Sequence, residues 1–207
     1  MVNNKTLSEQ TYLELSKMIL NNKFSPGEKI TEEYVATLLG VSRTTVKKAF
    51  TTLVMEGILE DIPRKGVFIK TYSNEEVLEI YDLREVVAGL SARYASMNVN
   101  MKDINYLESL YQKMETALSK NPFDFAEYSQ CDMELHEAII KFSGSKIVSE
   151  IITSFNLRIK PFNVAGVRDP NETIIEHRNI IDALKSGNPE TAEFTMREHI
   201  KKAKNFL

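Results

Sequence analysis

Between Thr31 and Gly57 the chain spells two short helices with only Gly40-Val41-Ser42 between them. Thr31 can cap the first, "EEYVATLL", which sets Glu32 and Glu33 near its positive end, and Gly40 can stop it. Ser42 can cap the second, "RTTVKKAFTTLVMEG", whose Val46, Ala49, Phe50 and Leu53 share one face, with Gly57 as its stop. Two strand-like runs follow, "ILEDI" and "GVFIK", joined by "PRK" as a β-hairpin. Ahead of the pair, "SEQTYLELSKMILNN" reads as a helix capped by Ser8, with Tyr12, Leu15, Ile19 and Leu20 on one side, and Pro26-Gly27 breaks it. This order predicts a winged helix-turn-helix over residues 1–70, the hairpin forming a two-stranded wing.

The second helix carries no acid from Arg43 to Met55. In such a module that helix lies in the major groove and its first residues meet base edges, so Ser42, Arg43, Thr44, Thr45, Lys47 and Lys48 are the candidate DNA contacts. An arginine grips guanine with two hydrogen bonds, about 1–3 kcal/mol of discrimination; hydroxyls and lysines suit phosphate. Lys65 and Gly66 at the wing tip can approach the backbone or a minor groove. The net charge of −3 is not that of a nucleic-acid binder, but residues 1–70 hold 10 Lys or Arg against 8 Asp or Glu, and the remainder 16 against 21. An average can hide a small basic surface. A solvated helix face, or a helix-turn-helix used for protein contacts, would show the same charges.

"PGEKITEEYVATLLGVSRTTVKKAFTTLVMEGILE" followed by "PRKGVFI" resembles the DNA-binding domain of the GntR superfamily of bacterial transcription regulators, over about residues 8–70. The resemblance implies operator contacts from Arg43, Thr44, Thr45, Lys47 and the wing at Gly66. Glu33 stands where that family usually has an arginine that reaches DNA, and Lys47 where arginine is usual. The first sets a repelling charge near the phosphates; the second gives up a bidentate fork.

The rest of the chain predicts an all-helical domain of six or seven helices. "SNEEVLEIYDLREVVAGLSARYASM" opens with Ser73 and Glu76 at capping-box spacing, and a second helix covers about 103–119. Pro122 fits the first position of a third, which Gly144 ends; a fourth runs from about 146 to 160, until Pro161. Asp169-Pro170 and Asn188-Pro189 start the last two as cap plus proline. The expected boundary is the polar "TYSN": residues 1–70 as one domain, 71–78 as linker and start of the next helix, 79–207 as the second domain.

All three histidines lie in that second half. Asp132 and His136, four apart in "DMELHEAIIKFSG", project together beside an apolar stripe. His177 lies one turn from Ile174 and Ile181, and His199 one turn from Met196 and Ala203. A carboxylate and three imidazoles aimed inward from helices form a borderline ligand set for Zn, Ni, Fe or Mn with coordination positions left open. Spacing across separate helices does not establish that they converge, and a hydrogen-bonded histidine core would leave the same pattern.

"DMELHEAI", "EHRNIIDALKSGNPETA" and "MREHI", in that order behind a GntR-type module, resemble the FadR branch and its FCD effector domain over about residues 74–207. The resemblance implies a divalent metal on Asp132, His136, His177 and His199, at the floor of a cavity for a small organic acid whose carboxylate completes the coordination. Fatty-acyl-responsive members lack this set. Arg84 falls among Ile80, Leu83, Val87 and Ala88, where an unpaired guanidinium is costly. A structural or subunit-interface salt bridge would account for it; the family's corresponding arginine points into the cavity and would grip a carboxylate. Ala88 stands where relatives commonly place a glutamate, which alters the polar network around Arg84. Asn156 and Arg158 on the fourth helix are further effector-binding candidates, and Arg158 could equally lie on the surface.

The 207 residues are 43% hydrophobic and 27% charged, the composition of a globular protein. No apolar run is long enough to span a membrane, "MVNNKTLSEQ" lacks a signal-peptide core, and Cys131 is the only cysteine, so a cytoplasmic protein without disulfides or a thiolate zinc cluster is expected. The combined expectation is a homodimeric transcription regulator, a repressor, that reads a short palindrome in double-stranded DNA and answers to a small carboxylate bound over metal. A regulator sensing the metal itself, and a metal-dependent hydrolase using the same cluster to activate water, are the alternatives. The sequence shows no general base beside the cluster for the latter.

Overall fold

The computed structural model describes residues 5–159 and 168–206, and the chain divides into two compact units. Of the described residues, the first holds those up to Ser73 together with 154–159, and the second holds Asn74–Thr153 and 168–206.

In the first unit α1 (Leu7–Leu20), α2 (Glu32–Leu39) and α3 (Arg43–Met55) pack around one core, with strands β1 (Lys29–Ile30), β2 (Leu59–Ile62) and β3 (Gly66–Ile69). Local chemistry fixes the helix-turn-helix. Thr31 Oγ1 accepts from the Tyr34 amide, Gly40 ends α2 at φ 66°, and Ser42 Oγ accepts from the Thr45 amide. Leu15 and Ile19 of α1 meet Val35, Val46, Phe50 and Leu53 beneath the sheet residues Leu59 and Ile69. Side chains of this kind, fully buried, contribute about 1.5–3 kcal/mol each.

Three details differ from expectation. The cap of α1 is Thr6, not Ser8: Thr6 and Glu9 close a reciprocal capping box, which satisfies two free backbone donors at once. The expected hairpin forms from β2 and β3, and a third short strand joins it, in the order β1-β3-β2, all antiparallel, because Lys29 and Ile30 pair with Phe68 and Val67. The first unit also takes in chain from far downstream: Leu157, at the end of α7 (Lys146–Ile159), is buried in its core.

The second unit contains α4 (Asn74–Asn98), α5 (Met101–Ser119), α6 (Phe125–Phe142), the start of α7, α8 (Pro170–Ser186) and α9 (Pro189–Lys204). Asp169 and Asn188 cap α8 and α9 ahead of their prolines. The start of α6 departs from expectation: Asp124 Oδ1 accepts from the Glu127 amide, so the helix begins at Phe125 rather than at Pro122. The expected stop of α7 at Pro161 lies outside the described residues. Leu107, Leu110 and Met114 of α5, Leu135 and Ile139 of α6, Ile180, Ile181 and Leu184 of α8, and Met196 of α9 form the core. Among the described residues no helix is long and apolar enough to cross a membrane.

Candidate metal centre and nucleic-acid interface

Helix α6 turns Leu135 and Ile139 into the core, which leaves Asp132 and His136 on the flank facing α8 and α9. His177 of α8 is fully buried there, and His199 arrives from α9. The three imidazoles each offer a nitrogen within 4.8 Å of the others. His136 Nε2 and His199 Nε2 stand 3.2 Å apart. Asp132 Oδ1 joins them, 2.8 Å from His177 Nε2 and 3.7 Å from His136 Nε2. Bonds of about 2.0–2.2 Å to a common ion place neighbouring donor atoms roughly 3–3.5 Å apart; the 3.2 Å between His136 and His199 matches that spacing, and the set as a whole, spread over up to 4.8 Å, would close slightly on an ion.

Hydrogen bonding agrees. His177 Nδ1 has no hydrogen-bond partner, and its Nε2 is engaged only by the Asp132 carboxylate at 2.8 Å. An unsatisfied buried polar atom costs about 1–3 kcal/mol; a cation between the lone pairs removes that cost. Glu176 Oε2 accepts from His199 Nδ1 at 2.8 Å, which leaves Nε2 as the free lone pair aimed at the cluster. The same carboxylate is held by Arg168 Nη2 at 2.6 Å and Lys202 Nζ at 3.0 Å. The donor set therefore fits a divalent ion.

Protonation fits too. Burial, reinforced by the neighbouring imidazoles and opposed by Asp132, pushes His136 down to about 3, and burial likewise lowers His199. Burial raises Asp132, but His177 and His136 outweigh it and hold its carboxyl well below the usual range. Glu176 is lowered in the same way, its burial outweighed by His199, Arg168 and Lys202. Neutral imidazoles beside ionised carboxylates are the state a metal requires. For the metal-free protein the linkage has one sign. The unfolded chain takes up protons on histidine below about pH 6.5 while folded His136 stays neutral down to about 3. Stability is thus fully present above pH 6.5 and is lost as the pH falls toward 3. Thermal melts in chelator at stepped pH are expected to show that decline, and His136→Asn is expected to flatten it.

A cavity of about 110 Å³ opens over Asp132, His136 and His199. Arg84 lines it from α4, its guanidinium 5.4 Å from the Tyr81 ring centre, and among the described residues it has no carboxylate partner. Arg168, buried and with its Nε unpartnered, also lines it, as do Tyr128 and Thr173, whose hydroxyls lie 2.6 Å apart. Arg168, Glu176 and Tyr128 escaped the sequence reading, although Tyr128 stands one helical turn ahead of Asp132 and Glu176 next to His177. Asn156 and Arg158 are not on the cavity wall. Both lie in the part of α7 that belongs to the first unit, and Arg158 Nη2 donates to the carbonyl of Glu56, the C-cap of α3, at 2.6 Å. Arg158 thus holds the end of α3.

On the first unit, Ser42, Arg43, Thr44, Lys47 and Lys48 are exposed along one side of α3, and Thr45 is half-buried with its hydroxyl 2.8 Å from that of Ser42. Lys65 is exposed and Gly66 half-exposed at the wing turn, where φ is 67° at Arg64 and 105° at Gly66. Glu33 is exposed at the start of α2.

Comparison with known proteins matches residues 7–69 to the bacterial regulatory proteins of the gntR family and residues 79–202 to the FCD domain. The HTH-type transcriptional regulator YdhC of Bacillus subtilis is 28% identical over 193 residues, 92% of this chain and 86% of that protein. The HTH-type transcriptional repressor RspR of Escherichia coli is 21% identical over 94% of this chain and 86% of its own length. The solved structure of E. coli McbR/YncC shares the fold with a TM-score of 0.79 at 21% identity, covering 96% and 95% of the two chains. Families and relatives alike are regulators rather than enzymes. The chain belongs to the GntR family of bacterial regulatory proteins, a DNA-binding transcription regulator whose winged helix-turn-helix is joined to an FCD domain.

Proposed function

We propose that this regulator, a member of the FadR branch acting in the cytoplasm, represses transcription by binding a short palindromic operator as a homodimer. In this reading Ser42, Arg43, Thr44, Thr45, Lys47 and Lys48 with the wing residues Lys65 and Gly66 touch the operator. A small organic acid, bound over a divalent metal on Asp132, His136, His177 and His199, sets the affinity. The observation that carries the reading is His177: a fully buried imidazole whose Nδ1 has no partner and whose Nε2 stands 2.8 Å from an ionised carboxylate, within 4.8 Å of the ligand nitrogens of His136 and His199. When bound, a borderline ion such as Zn, Ni, Fe or Mn would supply Lewis acidity and an open position for the effector carboxylate. Arg84 would take that carboxylate through charge-assisted hydrogen bonds. The cavity has room for a small acid. Repression is supported by RspR, which carries that description.

A ligand shifts operator affinity only by its different affinity for the two states of the protein. Titrating operator release with metal alone, and then with a carboxylate panel at fixed metal, tests the proposal. Release is expected only in the second series; release by metal alone would mean that the ion itself is the signal. Replacing Arg84 with methionine is expected to weaken the effective acid roughly 10- to 150-fold, the worth of a hydrogen bond to a charged group, with metal content unchanged. Isothermal titration of the metal-loaded variant checks this.

A further inference from the structure

We propose that Arg64, at the apex of the wing, enters the minor groove beside each half-site and selects operators with A·T base pairs there. The proposal rests on the operator contacts proposed for the wing and adds base pairs that α3 does not read. Ile62 pairs with Gly66, so only Pro63, Arg64 and Lys65 lie between β2 and β3. The Lys65 amide donates to the Ile62 carbonyl at 3.0 Å, which closes a turn over these residues. Proline fits its second position and Arg64 at the third has φ 67°, the pattern of a type II turn. That third position needs a positive φ and ordinarily takes glycine or asparagine. Arginine there sets its Cβ against the following carbonyl, and strain of this kind is retained where the side chain has a task.

The surroundings indicate the task. Arg64, Lys65 and Lys29 are exposed. Lys29 lies against Gly66, its Cε 3.1 Å from where a Cβ would stand, so three cations gather at one tip. Among the described residues Glu60 and Asp61, the acids of β2, form no ion pair with them. Lysine is a strongly hydrated point charge that suits phosphates at the groove edge, whereas the guanidinium is planar and more weakly hydrated. A minor groove about 6 Å wide is too narrow for a helix, and A·T runs narrow it further and deepen the negative potential that draws an inserted arginine. Neither Lys65, a point charge, nor Gly66, without a side chain, supplies that selectivity.

Selection by the full-length wild-type protein from a randomised duplex library is expected to return a palindrome with A·T base pairs enriched just outside each half-site. The same selection with Arg64→Gly is expected to return the same half-sites without that enrichment. On the selected duplex, Arg64→Gly is expected to bind about tenfold more weakly, within the range of a misread base pair. Exchanging the flanks for G·C, which sets a guanine amino group in the minor groove, is expected to weaken the wild type by a similar factor and the variant by less than about twofold. Glycine also relieves the turn, so the variant is expected to melt at the wild-type temperature or up to about 4 °C above it, which separates a lost contact from a lost fold. Equal flank preferences in the two proteins, or no flank preference in the wild type, would overturn the proposal, as would a variant that melts below the wild type. A wild-type selection that returns no palindrome would overturn the operator reading itself.

Discussion

Chelating the metal is expected to lower the melting temperature of the wild-type protein by about 5–10 °C and to leave the His136→Ala, His177→Ala variant unmoved. An ion that binds only the folded state adds about 2.7 kcal/mol at a hundredfold excess over its dissociation constant, and each kcal/mol moves a chain of this size by about 2–4 °C. The double variant removes two of the four donors. Losing an orienting partner alone weakens a metal site about 10- to 100-fold, so losing two ligands abolishes it at ordinary concentrations. Calorimetry with and without chelator reads the stability; operator release by the effective acid reads the function. A variant that kept its metal and its full response would show that the ion is held elsewhere.

Operator affinity is expected to fall about 5- to 150-fold on Arg43→Ala, from the roughly 1–3 kcal/mol of a bidentate base contact. The guanidinium is free to make it: its side chain is 68% exposed and stands 3.9 Å from Glu32, a surface pairing worth about 0–1 kcal/mol. Discrimination at one base pair of each half-site is expected to relax with it. Lys47→Ala is expected to weaken all sequences evenly and to reduce the slope of log affinity against log salt by about one. Anisotropy titrations over a salt series separate the two effects. Equal losses and equal slopes for both variants would mean that Arg43 meets only phosphate.

What the sequence made legible is what short-range chemistry decides. Thr31, Gly40, Ser42, Asp169-Pro170 and Asn188-Pro189 bound their helices because cap and partner amide lie within three residues. The same locality misleads where two caps compete: Thr6 wins over Ser8 through its box with Glu9, and Asp124 over Pro122. Strand β1 has two residues, too few for a period, and its partner lies far along the chain. At the site, Asp132 and His136 announce themselves by helical spacing, whereas their meeting with His177 and His199 depends on how three helices pack. Arg168 and Glu176 leave no trace, since a charged residue just ahead of a helix or within one is ordinary. Arg158 misleads for a further reason: periodicity tells that α7 has a buried face, not that its last turn is buried in the first unit's core.

Elemental analysis of protein purified without an affinity tag, before and after dialysis against Zn, Ni, Fe or Mn, tests the metal centre most directly. About one ion per chain, retained through dialysis into metal-free buffer and absent from the His136→Ala, His177→Ala variant, is the expected result. A folded chain that neither carries nor takes up an ion would contradict it, and would leave the three histidines as a buried polar core with no role in sensing.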